Sequence, residues 1–123
     1  MKKALLLLLT AVAVLSCGKS GSSQAGQYIY EDATFTISLE LFEGSDTGIT
    51  VFQNGKYVYQ DLAGKVNGSE YRYDALKLTC TFDSDDAITA RISEDRTGLN
   101  LPSSMVFSRS DRVLDVNGDG LLD

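Results

Sequence analysis

The chain contains no histidine, no tryptophan, a single proline and two cysteines. Without histidine there is no Ser-His-Asp or Cys-His catalytic arrangement and no ordinary zinc site, since imidazole titrates near neutral pH and is the commonest metal ligand. Basic residues are also scarce, 11 against 17 acidic. No Lys/Arg cluster stands out, which argues against nucleic-acid binding. No apolar run is long enough to cross a bilayer as a helix: the longest, Ala4 to Leu15, has twelve residues where about 20 are needed. At 123 residues, one domain is the natural count.

What is present begins with an address. Met1-Lys2-Lys3 is a positive start, Ala4 to Leu15 an apolar core, and Val14-Leu15-Ser16-Cys17-Gly18 a run ending in small residues. A short apolar core behind a basic start is the pattern of a secretory signal. The segment resembles a bacterial lipobox, with an aliphatic residue three before the cysteine and a small residue just before it. That resemblance implies cleavage after residue 16, a diacylglyceryl thioether on Cys17, an acyl group on the new amino terminus and a membrane held through lipid. Gly18, in place of Asp after the cysteine, implies sorting to the outer membrane. Two or more acyl chains, at about 0.8 kcal/mol per buried CH₂, anchor a protein stably. From Cys17 onward nine basic residues face seventeen acidic ones, a formal charge of −8. Such a surface repels anionic headgroups and attracts cations.

Residues 17–26 carry the cysteine and a tether: Gly18 to Gly26 holds three glycines, three serines and no large apolar side chain, the composition of a flexible linker. From 27 to 109 the pattern has period two. Phe35, Ile37, Leu39 and Leu41 alternate with Thr34, Thr36, Ser38 and Glu40, and residues 76–82 and 87–93 behave alike. Half-buried antiparallel strands give this signature. The expected strands are 27–31, 34–42, 48–53, 56–62, 69–73, 75–82, 87–93 and 103–109. Joined in order, they predict an all-β antiparallel meander closed as an up-and-down barrel, with a two-sheet sandwich as the alternative. Asn54-Gly55 favours a type I′ turn, which places Phe52 opposite Tyr57 and Val51 opposite Val58.

All six tyrosines fall in Tyr-x-Tyr pairs, Tyr28/Tyr30, Tyr57/Tyr59 and Tyr71/Tyr73, and residues two apart in a strand share a face. They either line a ligand or partner surface, with a flat apolar ring and a polar tip, or close a thin core. In the hairpin of residues 48–62, Phe52, Tyr57 and Tyr59 are expected on one face and Ile49, Val51 and Val58 on the other. One of these faces would then be an exposed apolar patch of the kind that marks a partner site. Cys80, in phase with Leu76, Leu78 and Phe82, reads as a small buried hydrophobe or a reactive thiol.

The segment 110–123 is acidic and ends Asp115-Val116-Asn117-Gly118-Asp119-Gly120-Leu121-Leu122-Asp123. Oxygen ligands at positions 1, 3 and 5 with Gly at 6 suit a chain curled around calcium. The spacing resembles the calcium loops of EF-hands, dockerins and FG-GAP repeats. Carried over by position, the resemblance implies Asp115, Asn117, Asp119, the Leu121 carbonyl and Asp123 as ligands. A solvated, disordered acidic tail is the other reading.

The carboxylate groups Asp83, Asp85, Asp86 and Glu94, Asp95 read as solvated turns, not as a catalytic pair, so no enzyme is expected. The sequence predicts a lipid-anchored envelope lipoprotein that works as a non-catalytic binding module, calcium as its metal, and an envelope protein or small ligand as its partner. The alternative is a structural accessory subunit of an envelope assembly.

Overall fold

The computed structural model describes residues 24–122. Residues 1–16, read above as an export signal, Cys17, most of the expected tether and Asp123 lie outside the described residues.

The described residues form eight strands: β1 (Gly26–Glu31), β2 (Phe35–Leu41), β3 (Asp46–Gln53), β4 (Lys56–Asn67), β5 (Glu70–Arg72), β6 (Leu76–Ser84), β7 (Ala87–Asp95) and β8 (Ser104–Arg109). Each pairs antiparallel with the next, and β8 returns to β1 through Tyr28↔Arg109 and Ile29↔Ser108, which closes the barrel in up-and-down order. The strands fall where alternation places them. The largest departure is β4, which continues past residue 62 to Asn67.

Turn chemistry sets the register. Asn54 and Gly55 both have positive φ, 52° and 83°, as a type I′ turn requires, and Gln53 faces Lys56 across it. Phe52 lies opposite Tyr57 as expected, but Val51 faces Tyr59, not Val58. The pairing slips by one residue between Val51 and Phe52. Val58 is the extra residue of a β-bulge, and a bulge reverses which face the following side chains take. Tyr59 therefore packs against the core beside Ile49 and Val51, while Phe52 and Tyr57 stay outside.

Ile37, Leu39, Ile49, Val51, Leu78, Ile88 and Phe107, all fully buried, build the core together with Tyr28, Tyr71, Tyr73, Cys80 and Met105. Gly64 shows how tightly it fills. A Cβ at that position would stand 2.5 Å from two ring carbons of Tyr73 and 2.9 Å from the Thr47 carbonyl oxygen.

After β8 the chain turns back along the outside of the barrel. The Ser110 N–H donates to the Gln27 carbonyl (2.9 Å), and the Gln27 amide donates to the carbonyls of Ser110 (3.1 Å) and Arg112 (2.7 Å). Arg112 pairs with Glu31 (3.2 Å). The far end of this strap docks on the β3–β4 turn: Leu121 bridges Lys56, the Tyr57 N–H donates to the Gly120 carbonyl (2.9 Å) and the Leu122 N–H to the Gly55 carbonyl (2.7 Å). The strap thus runs from the end of the barrel where the chain enters β1 to the opposite end.

Candidate functional site

The tyrosines do not assemble into one wall. Tyr28, Tyr71 and Tyr73 are buried, and Tyr30 and Tyr59 pack against the same core. The Thr47 hydroxyl donates to the Glu40 carbonyl (2.8 Å), so across the 2.8 Å contact between Thr47 and Tyr73 it is the phenol that donates. Tyr28 donates to the Gln24 carbonyl (2.8 Å) and accepts from Arg109 (2.7 Å). Tyr59 accepts the Ala75 N–H (3.2 Å), and Tyr30 donates to Asp32. The Tyr71 hydroxyl has no hydrogen-bond partner among the described residues. Burial pushes the Tyr28, Tyr59, Tyr71 and Tyr73 phenols above their ordinary range. Tyr30 is pushed up to about 12, chiefly because its proton is held by Asp32. Burial pushes the Cys80 thiol up to about 12 as well, so little nucleophilic thiolate is present at neutral pH.

Phe52 and Tyr57 belong to a different surface. Their rings meet edge to face at 6.4 Å outside the barrel. Phe52 is 3% exposed although it points away from the core, and Thr36 (5%) and Ser38 (3%), on the outer face of β2, are covered as well. Leu114 of the strap, 7% exposed, lines the same hollow as Phe52, Tyr57 and Ser38. The outer face of β1 to β4 and the strap together form a trench. Its narrower part, of about 350 Å³, is floored by polar side chains, with Phe52 and Tyr57 at one end and Leu62 at the other. A wider hollow of about 740 Å³ continues beside the strap and shares Gln27, Glu40 and Leu114 with it. These volumes match ordinary ligand pockets, roughly 300–1,000 Å³.

Two features of the trench escape a reading of the sequence. Glu40 sits in a strand's polar alternation and looks like a solvated carboxylate. It is half-buried, and its carboxylate has neither an ion pair nor a hydrogen bond among the described residues. Leu114 carries no periodic signal, since its burial depends on the strap lying over a sheet formed some sixty residues earlier. The available clue is Gly48, a glycine inside a strand and the register partner of Glu40. Such glycines mark bulges or close approach.

The acidic loop folds on its own first carboxylate. Asp115 accepts the N–H groups of Gly118 (2.9 Å), Asp119 (3.2 Å) and Gly120 (2.8 Å), and Asp119 accepts the Leu121 N–H (3.0 Å). Gly118 and Gly120 take positive φ, 71° and 79°, as the tight curl demands. The Gly120 N–H above all holds the Asp115 carboxyl below its usual range. Asp115, Asn117, Asp119 and the Leu121 carbonyl offer hard oxygen donors, which fit calcium and not a soft metal. Asp123 lies outside the described residues, and among those described no three acidic, cysteine or histidine side chains converge as a metal group. The clusters Asp83/Asp85/Asp86 and Glu94/Asp95 lie at strand ends and turns. Asp83 bonds Thr89 and Glu94 pairs with Lys77 and Arg96.

No protein-family model, no curated protein and no solved structure matches the chain.

Proposed function

We propose that this chain is a lipid-anchored protein of the cell envelope, held in the outer membrane through an acylated Cys17, and that it works as a non-catalytic binding module. The barrel serves as a rigid scaffold, and the trench between its outer face and the strap takes an envelope protein or a small ligand. The observation that carries this reading is where the free volume lies. The interior is filled by packed side chains, whereas the outer face of β1 to β4 offers a hollow with an aromatic end, an aliphatic end and a polar floor. Calcium, held by Asp115, Asn117, Asp119, the Leu121 carbonyl and Asp123, would tighten the loop that pins the strap to the β3–β4 turn.

Two measurements test the reading. Intact-mass analysis of protein extracted from membranes is expected to show residues 17–123 with diacylglycerol and a further acyl chain. A bare Cys17 overturns the anchor. A photo-crosslinking side chain placed at Leu62, in the trench, is expected to capture a partner in cells, whereas one at Thr81, on the outer face of β6, is not. No product from Leu62, or equal capture from both positions, overturns the binding module.

A further inference from the structure

We propose that the end of the barrel where the chain enters β1 seats on the bilayer surface, with Phe42 in the interfacial zone and a hollow at that end taking the ester group of a phospholipid. The proposal rests on the lipid anchor at Cys17 and adds an orientation that the anchor alone does not fix.

The rim at this end is built from the β2–β3 turn and the β4–β5 hairpin. Gly26 is the register partner of Leu41, so the entering chain lies beside the turn. The Phe42 N–H donates to the Asp46 carbonyl (3.1 Å), which closes the turn, and the Val66 N–H donates to the Ser45 carbonyl (2.8 Å), which ties it to β4. A hollow of about 100 Å³ opens in this rim, with Gln24, Leu41, Phe42, Val66 and Tyr71 among its walls. Leu41 and Val66 are half-buried and Phe42 is 41% exposed. Apolar surface therefore stands at the mouth from which the polypeptide leads back to Cys17.

Two observations select a lipid. The first is distance. From Gln24 seven residues lead back to Cys17, at most about 25 Å fully extended and about 13–16 Å root-mean-square for a glycine- and serine-rich chain. An anchored barrel meets the bilayer with this rim first, at an effective concentration of order millimolar, so a contact too weak to bind a free protein suffices to orient a tethered one. The second is the Tyr71 phenol. Tyr71 is 4% exposed, and its hydroxyl has no hydrogen-bond partner among the described residues. A buried hydroxyl without a partner loses solvation with nothing to offset it. A lipid ester is a carbonyl acceptor on an aliphatic stem, which matches a hollow with apolar walls and one free donor. The volume, roughly three waters at about 30 Å³ each, suits that group and is too small for a whole headgroup.

Charge selects the kind of surface. Glu43 is exposed on the same turn, and the chain from Cys17 onward carries −8, so zwitterionic headgroups suit this rim and anionic ones repel it. Seated end-on, the barrel holds the Asn54–Gly55 turn, with Phe52 and Tyr57 beside it, away from the bilayer.

The test uses the acylated full chain, carrying Cys80→Ala, in phosphatidylcholine vesicles whose acyl chains bear a spin label near the ester. An environment-sensitive dye is attached through Ser45→Cys, in the rim, or through Ala33→Cys, in the β1–β2 turn at the opposite end. Quenching is expected to be about threefold stronger from Ser45 than from Ala33, as for a group held at the headgroup boundary. Phe42→Ser, at an exposed position, should bring it down to the Ala33 level. Tyr71→Phe removes no bond within the barrel, so it should keep the fold and still weaken the quenching. Equal quenching at the two ends, no change with Phe42→Ser, or stronger quenching when the vesicles contain phosphatidylglycerol overturns the proposal. Quenching that Tyr71→Phe leaves unchanged also overturns it, and assigns the hollow to water alone. Intact mass separates the two readings. A bare Cys17 removes both, whereas an acylated Cys17 with equal quenching removes the seated rim and leaves the anchor standing.

Discussion

Tyr28 and Arg109 face each other where the first strand meets the last, and the Arg109 guanidinium donates to the Tyr28 hydroxyl at 2.7 Å while its carbon lies 4.8 Å from the ring centroid. The same guanidinium donates to Asp86 (3.0 Å) and to the carbonyls of Ala25 (2.9 Å) and Asp85 (2.9 Å). One side chain therefore ties the entering chain, the β6–β7 turn and the closing strand together. Arg109→Ala is expected to cost about 2–3 kcal/mol in urea unfolding, since bonds to a charged group contribute about 1.5–3 kcal/mol and part of this one is solvent-screened. Arg109→Lys should recover only part of the loss, because an ammonium cannot reproduce the fork. An unchanged midpoint for Arg109→Ala would show that the seam holds without it.

Gly64 and Tyr73 give a second test. Gly64→Ala forces a methyl into the Tyr73 ring or the Thr47 carbonyl, and overpacking of this kind costs about 1–3 kcal/mol. Tyr73→Phe removes a hydroxyl that donates to Thr47, while Thr47 keeps its own bond to Glu40. It should cost about 1 kcal/mol. Denaturant midpoints of the two variants are expected in that order, with Gly64→Ala the less stable.

The strap is a separable contribution. Leu114→Ala trims a buried strap side chain that lines the same hollow as Phe52 and is expected to destabilise by about 1–2 kcal/mol, below the 2–5 of a full core position because one side of the trench is open. Phe52 should then become visible to a dye that binds exposed apolar surface. Equal dye binding and an equal midpoint would mean that Phe52 is covered by other groups.

Stability should vary little between about pH 5 and 8, since no histidine titrates there. Asp32 accepts the Tyr30 phenol and the N–H groups of Phe35 and Thr34, which lower its pKa from an ordinary 3.8. A depressed folded value contributes stability that is present above 3.8 and lost as pH falls through the folded value, so Asp32→Asn should flatten the acid limb. At the alkaline end the folded values are raised: Cys80 from 9.0 to about 12 and Tyr30 from 10.0 to about 12. Their contribution is complete below 9.0 and is lost as pH climbs toward 12. Melting temperatures across pH should show a plateau and then an alkaline decline that begins near 9, delayed toward 10 in Cys80→Ala.

If the terminal loop takes calcium in the ~10⁻³ M range of extracellular modules, then about 10 mM calcium should stabilise the fold by roughly 1.4 kcal/mol through linkage. Asp119→Asn should reduce the gain. Magnesium should not reproduce it, because its tighter octahedral demand suits such a loop poorly. No calcium-dependent change in melting temperature would leave the loop as a purely hydrogen-bonded turn.

Strand positions and closure were legible because alternation and the Asn54-Gly55 turn act locally. Tyr-x-Tyr spacing predicted that each pair shares a face, which holds for Tyr28/Tyr30 and Tyr71/Tyr73 and fails for Tyr57/Tyr59, but it did not show that the first two pairs face inward. The bulge at Val58 was not legible, since it arises from how two strands pair and nothing in one strand's composition marks it. It separated Tyr59 from Tyr57 and moved Val58 off the face of Ile49 and Val51. Nor was the trench legible, because Glu40, Leu62 and Leu114 come from three segments that meet only after the barrel has closed.

The 5% exposure of Cys80 makes the thiol a built-in clock for breathing of the wall. A modifying reagent can reach the sulfur only when β6 parts from a neighbouring strand, β5 or β7, so the labelling rate in native buffer reads the frequency of that excursion. If slow labelling accelerates in step with denaturant-induced global unfolding, the staves of the cask come apart together. Labelling faster than unfolding would locate a weak stave beside the sulfur.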